Sequence, residues 1–195
     1  MRTTAHAPAD DARRFHDIFD AHHERVLAFV LRRTPDQADA EDAAAETFTV
    51  AWRRLGDVPD EALPWLFGVA RRVIANQRRG RSRRAALGLR LFRRDRVEDE
   101  RFGEAEGPAI AALSRLGEQD QELLRLVAWE ELTHTQIATV LGISVNAVAI
   151  RLHRARKRFA DTLAEPEDVK GPGMSRTSGQ ATGIMPDGAG QEDVR

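Results

Sequence analysis

Three groups of side chains sit at spacings that could bind or react. On a helical wheel, Asn146, Ile150, His153 and Lys157 share one stripe, flanked by Ala147, Ala149 and Arg154. An amide, an imidazole and cations on one side of a helix suit the base edges and phosphates of a DNA major groove. From Arg71 to Arg96 there are eleven arginines against a single acid, Asp95. Their planar guanidinium forks match phosphate oxygens, with a merely solvated face as the competing reading. The third group, Asp42, Glu46, Thr49 and Arg53 with Ala45 beside it, also lies on one helical stripe. Such a stripe can pair with complementary charges on a partner, or simply face water. Asp42 and Glu46, even with His22 and His23, fall short of a metal-ligand set. No metal site, cofactor or catalytic residue is implied, and the chain is not expected to be an enzyme.

The elements that must hold these residues are helical. Thr133 followed by Gln136 is a capping-box pattern, so a helix begins near His134 and runs through Ile137, Ala138, Val140 and Leu141. Gly142 suits the left-handed stop, and Ser144 can cap the next helix. In that helix Val148, Leu152, Ala155 and Phe159 must face a core. Two-helix turns of this kind bind DNA, and they also occur as plain packing units. Upstream, Phe15 to Arg33 repeats apolar residues at helical intervals. Thr34-Pro35-Asp36-Gln37 then offers a cap, with Pro35 at the first helical position. The helix that follows reaches Leu55 and turns Ala40, Ala44, Thr47, Phe48, Ala51 and Leu55 inward. Gly56 to Leu63 reads as a loop. Pro64 opens a helix to Arg79 through Trp65, Leu66, Val69, Ala70 and Val73, and the basic run continues to Arg84.

Alanine, leucine and arginine dominate the 195 residues, and tyrosine is absent. The expected class is all-α: two small helical domains, 14–84 and 109–163, joined by a flexible linker at 85–108 where periodicity fades and cations give way to acids. Residues 1–13 and 164–195 are expected to be disordered tails, the second too poor in large apolar groups to order itself. In the second domain, Ile110, Leu113 and Leu116 mark a short helix, and Gln121 to Leu132 another. There is no internal repeat. With no cysteine, disulfides and thiolate chemistry are excluded. No apolar run is long enough to cross a bilayer and no secretory core precedes the first helix, so a cytoplasmic protein without membrane insertion is expected. The net charge of -1 hides the local cationic concentration.

Four blocks in this order resemble the sigma-70 family of bacterial RNA polymerase initiation factors, and within it the two-domain extracytoplasmic-function (ECF) group. They are DAEDAAAETFTVAW at Asp39 to Trp52, LPWLFGVARRVIANQRR at Leu63 to Arg79, LGEQDQELLRLV at Leu116 to Val127, and TQIATVLGISVNAVAIRLHRAR at Thr135 to Arg156. The resemblance implies that the first domain is sigma region 2, which holds core RNA polymerase and melts the promoter. Asp42, Glu46 and Arg53 would meet the polymerase; where the family often carries glutamine, this chain has Ala45. Minus-ten recognition would fall to Arg54, Val58, Trp65, Val69 and Arg72, a flipped base being trapped and the single strand held. Trp65 is alternatively a core residue. Arg71, Arg78, Arg79, Arg81, Arg83 and Arg84 would meet phosphates.

The second domain, by the same resemblance, is sigma region 4, docking on the polymerase flap and reading the minus-thirty-five element. Its DNA-facing positions map to Thr133, Ser144, Asn146, Ala149, Ile150, Arg151, His153, Arg154 and Lys157. Many relatives carry polar residues where this chain has Ala147, Ala149 and Ile150. Binding there should lean on Arg151, Arg154 and Lys157, with Ile150 against a thymine methyl or packed on protein. The implied partners are core RNA polymerase and promoter DNA, with an anti-sigma factor as a candidate regulator. The alternative is a stand-alone helix-turn-helix transcriptional regulator acting on duplex DNA. It would bind promoters tightly without polymerase, and it leaves the acidic helix and the Trp65 block without a task.

Overall fold

Apolar periodicity and small residues build the first part of the fold. In the computed structural model, residues 8–88 and 107–164 are described, with side chains from residue 9 to residue 83 in the first stretch. The remaining parts of the expected tails and linker, and the Arg84 side chain, lie outside the described residues. Helix α1 spans Pro8–Leu31 and α2 spans Gln37–Arg53. A single 3-10 turn at Leu55–Asp57 leads to α3, Ala62–Gly88. The inward stripe of α2 is the buried one: Ala40, Ala44, Thr47, Phe48 and Ala51, continued by Leu55. Its alanines let α1 and α3 come close, and Phe29 of α1 stacks on Phe67 of α3 with centroids 4.4 Å apart.

Four helix starts differ from the sequence reading: α3 begins at Ala62 rather than Pro64 and runs on to Gly88, α5 begins at Glu118 rather than Gln121, and α1 and α2 differ as follows. Helix α1 begins at Pro8 rather than near Phe15, with Asp10 and Asp11 in its first turn where the helix dipole favours acids. The cap of α2 is Asp36, whose carboxylate accepts the Asp39 N–H at 2.7 Å. Thr34 is buried instead and donates its hydroxyl to the Val30 carbonyl.

The second part comprises α4 (Pro108–Ser114), α5 (Glu118–Ala128), α6 (His134–Leu141) and α7 (Val145–Ala164). Helix α5 stops before Leu132 because Glu131 takes a left-handed conformation at φ 54°. The capping box at α6 is complete: the Gln136 N–H donates to Thr133 Oγ1 at 3.3 Å, and the Thr133 N–H to Gln136 Oε1 at 2.8 Å. Gly142 ends α6 at φ 67°. Helix α7 departs at a bend of 100° and buries Val148, Leu152 and Ala155 against α5 and α6. Among the described residues there is no strand, and no single helix is long and apolar enough to cross a membrane.

The two parts share one interior. Ile137, Ala138 and Val140 of α6 join the cluster that holds Leu66, Phe67 and Ala70 of α3. Gly68 permits this approach: a Cβ there would lie 3.3 Å from the Val140 carbonyl oxygen. Beside the apolar contact lies a buried charge cluster. Arg33 sits with its guanidinium carbon 3.6 Å from the Phe29 ring centroid. It donates from Nη1 to Glu130 at 3.0 Å and from Nε to Glu122 at 3.0 Å. Arg32 reaches the other Glu130 oxygen at 2.7 Å. Pairs this buried are retained only when their hydrogen bonds replace the lost hydration.

Candidate nucleic-acid interface

Helix α7 presents one face to its neighbours and the other to water. Asn146, Arg151, His153, Arg154 and Lys157 are exposed, Ile150 is 46% exposed, and Ala149 is half-buried. Thr133 and Ser144 are also exposed, and their hydroxyl oxygens accept the Gln136 and Ala147 N–H groups. Their hydroxyl hydrogens remain able to donate to a phosphate. The arrangement offers an amide, an imidazole and three cations over a groove-wide helix face.

The loop between α2 and α3 is more enclosed. Arg54 is exposed, donates from Nε to Asp57 at 2.9 Å, and places its guanidinium 5.9 Å from the Trp65 ring centroid. Trp65 is half-buried. Val58 and Val69, both assigned to minus-ten reading by resemblance, are buried at 3% and 4% exposure. Val58 is part of the core. On α3, Trp65, Gly68, Val69 and Arg72 share one stripe, and α6 lies on that stripe at Gly68. In this arrangement Arg54, Trp65 and Arg72 are reachable, whereas the two valines are not.

Arg71, Arg72, Arg78 and Arg79 line a cleft of about 540 Å³ between α3 and α5. Arg71 faces Glu122 at 4.0 Å, and Arg78 faces Glu118 at 3.1 Å while donating to the Arg33 carbonyl at 2.7 Å. Arg81 pairs with Asp39. Arg71 and Arg78 are about half exposed, so their ion pairs are weak. Arg72, Arg79 and Arg83 are partly or largely exposed on the same helix.

On α2, Asp42, Ala45, Glu46, Thr49 and Arg53 all face water. Trp52, which the wheel did not single out, is 49% exposed and packs edge-on against Phe15 at 5.2 Å. An aromatic off the inward stripe, next to Arg53, was the available signal. A second apolar feature is a groove of about 400 Å³ between α4, α5 and α7, lined by Ile110, Leu113, Leu124, Trp129 and Phe159 among others.

Comparison with known proteins follows the same division. Residues 18–84 match Sigma-70 region 2, and residues 108–159 match Sigma-70, region 4. The ECF RNA polymerase sigma factor SigL of Mycobacterium tuberculosis is 31% identical over 172 residues, spanning 85% of this chain and 97% of that protein. RNA polymerase sigma factor NccH of Alcaligenes xylosoxydans xylosoxydans is 29% identical, spanning 72% and 82%. Among solved structures, CnrH in complex with the cytosolic domain of CnrY aligns with a TM-score of 0.52 at 27% identity, covering 78% of this chain and 88% of that one. RpoE of Bartonella quintana, in complex with the anti-sigma factor NepR, has a TM-score of 0.57 at 21% identity, covering 76% and 96%, and shows the shared fold. An all-helical chain with an acidic exposed helix, an arginine-rich helix and a helix-turn-helix, in that order, therefore belongs to the sigma-70 family. Within that family it belongs to the ECF group.

Proposed function

We propose that the chain carries out no chemistry of its own in the cytoplasm, and that it directs core RNA polymerase to promoters by dividing labour between its two parts. Core polymerase is held by Asp42, Glu46 and Arg53 on α2, and its flap by the apolar groove between α4, α5 and α7. Helix α7 reads the minus-thirty-five element, with Ile150 against a thymine methyl and Arg151, Arg154 and Lys157 on phosphates. Arg54, Trp65 and Arg72 take the melted minus-ten strand, and the arginines of α3 follow its backbone. The observation that supports this reading is the pair of outward faces: Asp42, Glu46 and Arg53 on α2 and Asn146, Ile150, Arg151, His153, Arg154 and Lys157 on α7 are all exposed.

The geometry adds a condition. Val69 is 4% exposed and its neighbour Gly68 meets Val140 of α6, so minus-ten reading through Val69 would require the packing around it to open. An anti-sigma factor is a candidate regulator of this chain. Run-off transcription with core polymerase and a library of promoters tests the proposal. Polymerase-dependent, promoter-selective transcripts are expected. Tight duplex binding with no effect on polymerase would favour a stand-alone regulator instead.

A further inference from the structure

The first turns of α1 add no residue to the core up to Arg14, yet one side chain there acts at long range. Arg14 donates from Nη1 to the Leu55 carbonyl at 3.1 Å and from Nη2 to the Val58 carbonyl at 2.6 Å, 41 and 44 positions along the chain. These carbonyls bracket the 3-10 turn between α2 and α3. Within the turn, the Asp57 N–H donates to the Arg54 carbonyl and the Val58 N–H to the Leu55 carbonyl, at 2.8 and 3.2 Å, and the exposed Arg54–Asp57 side-chain pair spans it at 2.9 Å. Beneath it the Leu55 and Val58 side chains are buried, while Gly56 and Asp57 face water and nothing would crowd a Cβ at Gly56. The loop is thus anchored from below by two apolar groups and from the side by one guanidinium.

We infer that Arg14 is a positioning residue for minus-ten reading: it holds the Leu55–Val58 turn, and with it Arg54, in the one conformation that meets an unpaired base. The inference rests on the assignment of this loop to the minus-ten element. Three physical points support it. A guanidinium carries N–H groups on separate nitrogens in a rigid plane, so it bridges two carbonyls at once, which the compact ammonium of lysine does less well. A loop fixed before binding loses less entropy when the base arrives. A loose loop can also re-form around a wrong base, so holding it favours discrimination more than grip. A direct phosphate contact by Arg14 would act differently, weakening all promoters alike.

The test uses the full chain with core polymerase, comparing wild type with Arg14→Gln and Arg14→Lys. Two promoters are transcribed, one preferred and one carrying a minus-ten base that the wild type rejects. The ratio of their transcripts does not depend on how much protein is folded. In Arg14→Gln that ratio should fall about fivefold, the effect of roughly one lost hydrogen bond, with a smaller fall in Arg14→Lys. Hydrogen exchange at the Asp57 and Val58 amides of the free protein should quicken by about tenfold. Unchanged exchange would overturn the clamp, whatever the promoters do. Faster exchange with an unchanged ratio, or equal losses on both promoters, would overturn the role in reading while leaving the minus-ten assignment standing. A wild type with no minus-ten preference would instead sink that assignment, and the role of Arg14 in it, with the exchange result left as a property of the fold.

Discussion

Arg33 and Glu130, 97 positions apart in the chain, meet at 3.0 Å with side chains only 5% and 3% exposed. Each also has a second partner: Glu122 for Arg33, and Arg32 for Glu130. Removing Glu130 leaves the buried Arg33 guanidinium with Glu122 as its remaining carboxylate, which is more damaging than replacing both members of the pair. Glu130→Ala should lower stability by about 3 kcal/mol in urea denaturation, and Arg33→Met combined with Glu130→Leu should recover most of that loss. A single substitution within about 0.5 kcal/mol of wild type would mean that the pair is not closed in solution.

The contact at Gly68 offers a way to part the two halves without touching a charge. Leucine at this position would force its side chain into the Val140 carbonyl, and backbone there cannot step aside as a flexible side chain can. The chain has no cysteine, so Asn76→Cys and Arg156→Cys, both at exposed sites, give a clean pair of labels. Gly68→Leu should shift the measured label-to-label distances to longer and broader values. A distribution identical to that of the labelled parent would contradict the packing described.

On α2 the expectation concerns polymerase affinity alone. Asp42 and Glu46 make no contribution to the buried core, so Asp42→Lys with Glu46→Lys should leave the melting temperature within a few degrees. Affinity for core polymerase should fall by about a hundredfold, roughly 3 kcal/mol, as opposed charges become like charges. Titration with labelled core enzyme measures this. Unaltered affinity would remove the acidic face from the interface.

For α7 the prediction is one of salt dependence. Arg154 and Lys157 are exposed and nominated for phosphates, so each change to alanine should lower the slope of log affinity against log salt by about one for holoenzyme on promoter DNA. The loss should be uniform across variant minus-thirty-five sites. A loss of several kcal/mol confined to particular base pairs would show base reading where phosphate binding is expected.

Local structure was largely legible in the amino-acid pattern because its causes are local. The alternation of Ala44, Thr47, Phe48 and Ala51 with Asp42, Glu46 and Arg53 sorted buried from exposed faces on α2, and Gly142 marked the end of α6. The early start of α1 was signalled by Pro8, Asp10 and Asp11, which composition alone made look like a loose tail. What escaped is long-range. No periodicity announces that Gly68 will receive Val140, although a glycine inside a helix is a hint of close approach. Glu122 and Glu130 lie 89 and 97 positions from Arg33, and no local pattern pairs them with it. Val58 and Val69 came from resemblance, which transfers positions but carries no account of what covers them.

The interior that runs unbroken from Phe67 through Ile137 to Leu152 has a thermodynamic corollary. Two modules drawing on a common hydrophobic seam melt as one cooperative unit, and a calorimeter would record a single endotherm. Any ligand that prises them apart uncouples that event into two, so the shape of the melting curve reports which state the molecule occupies.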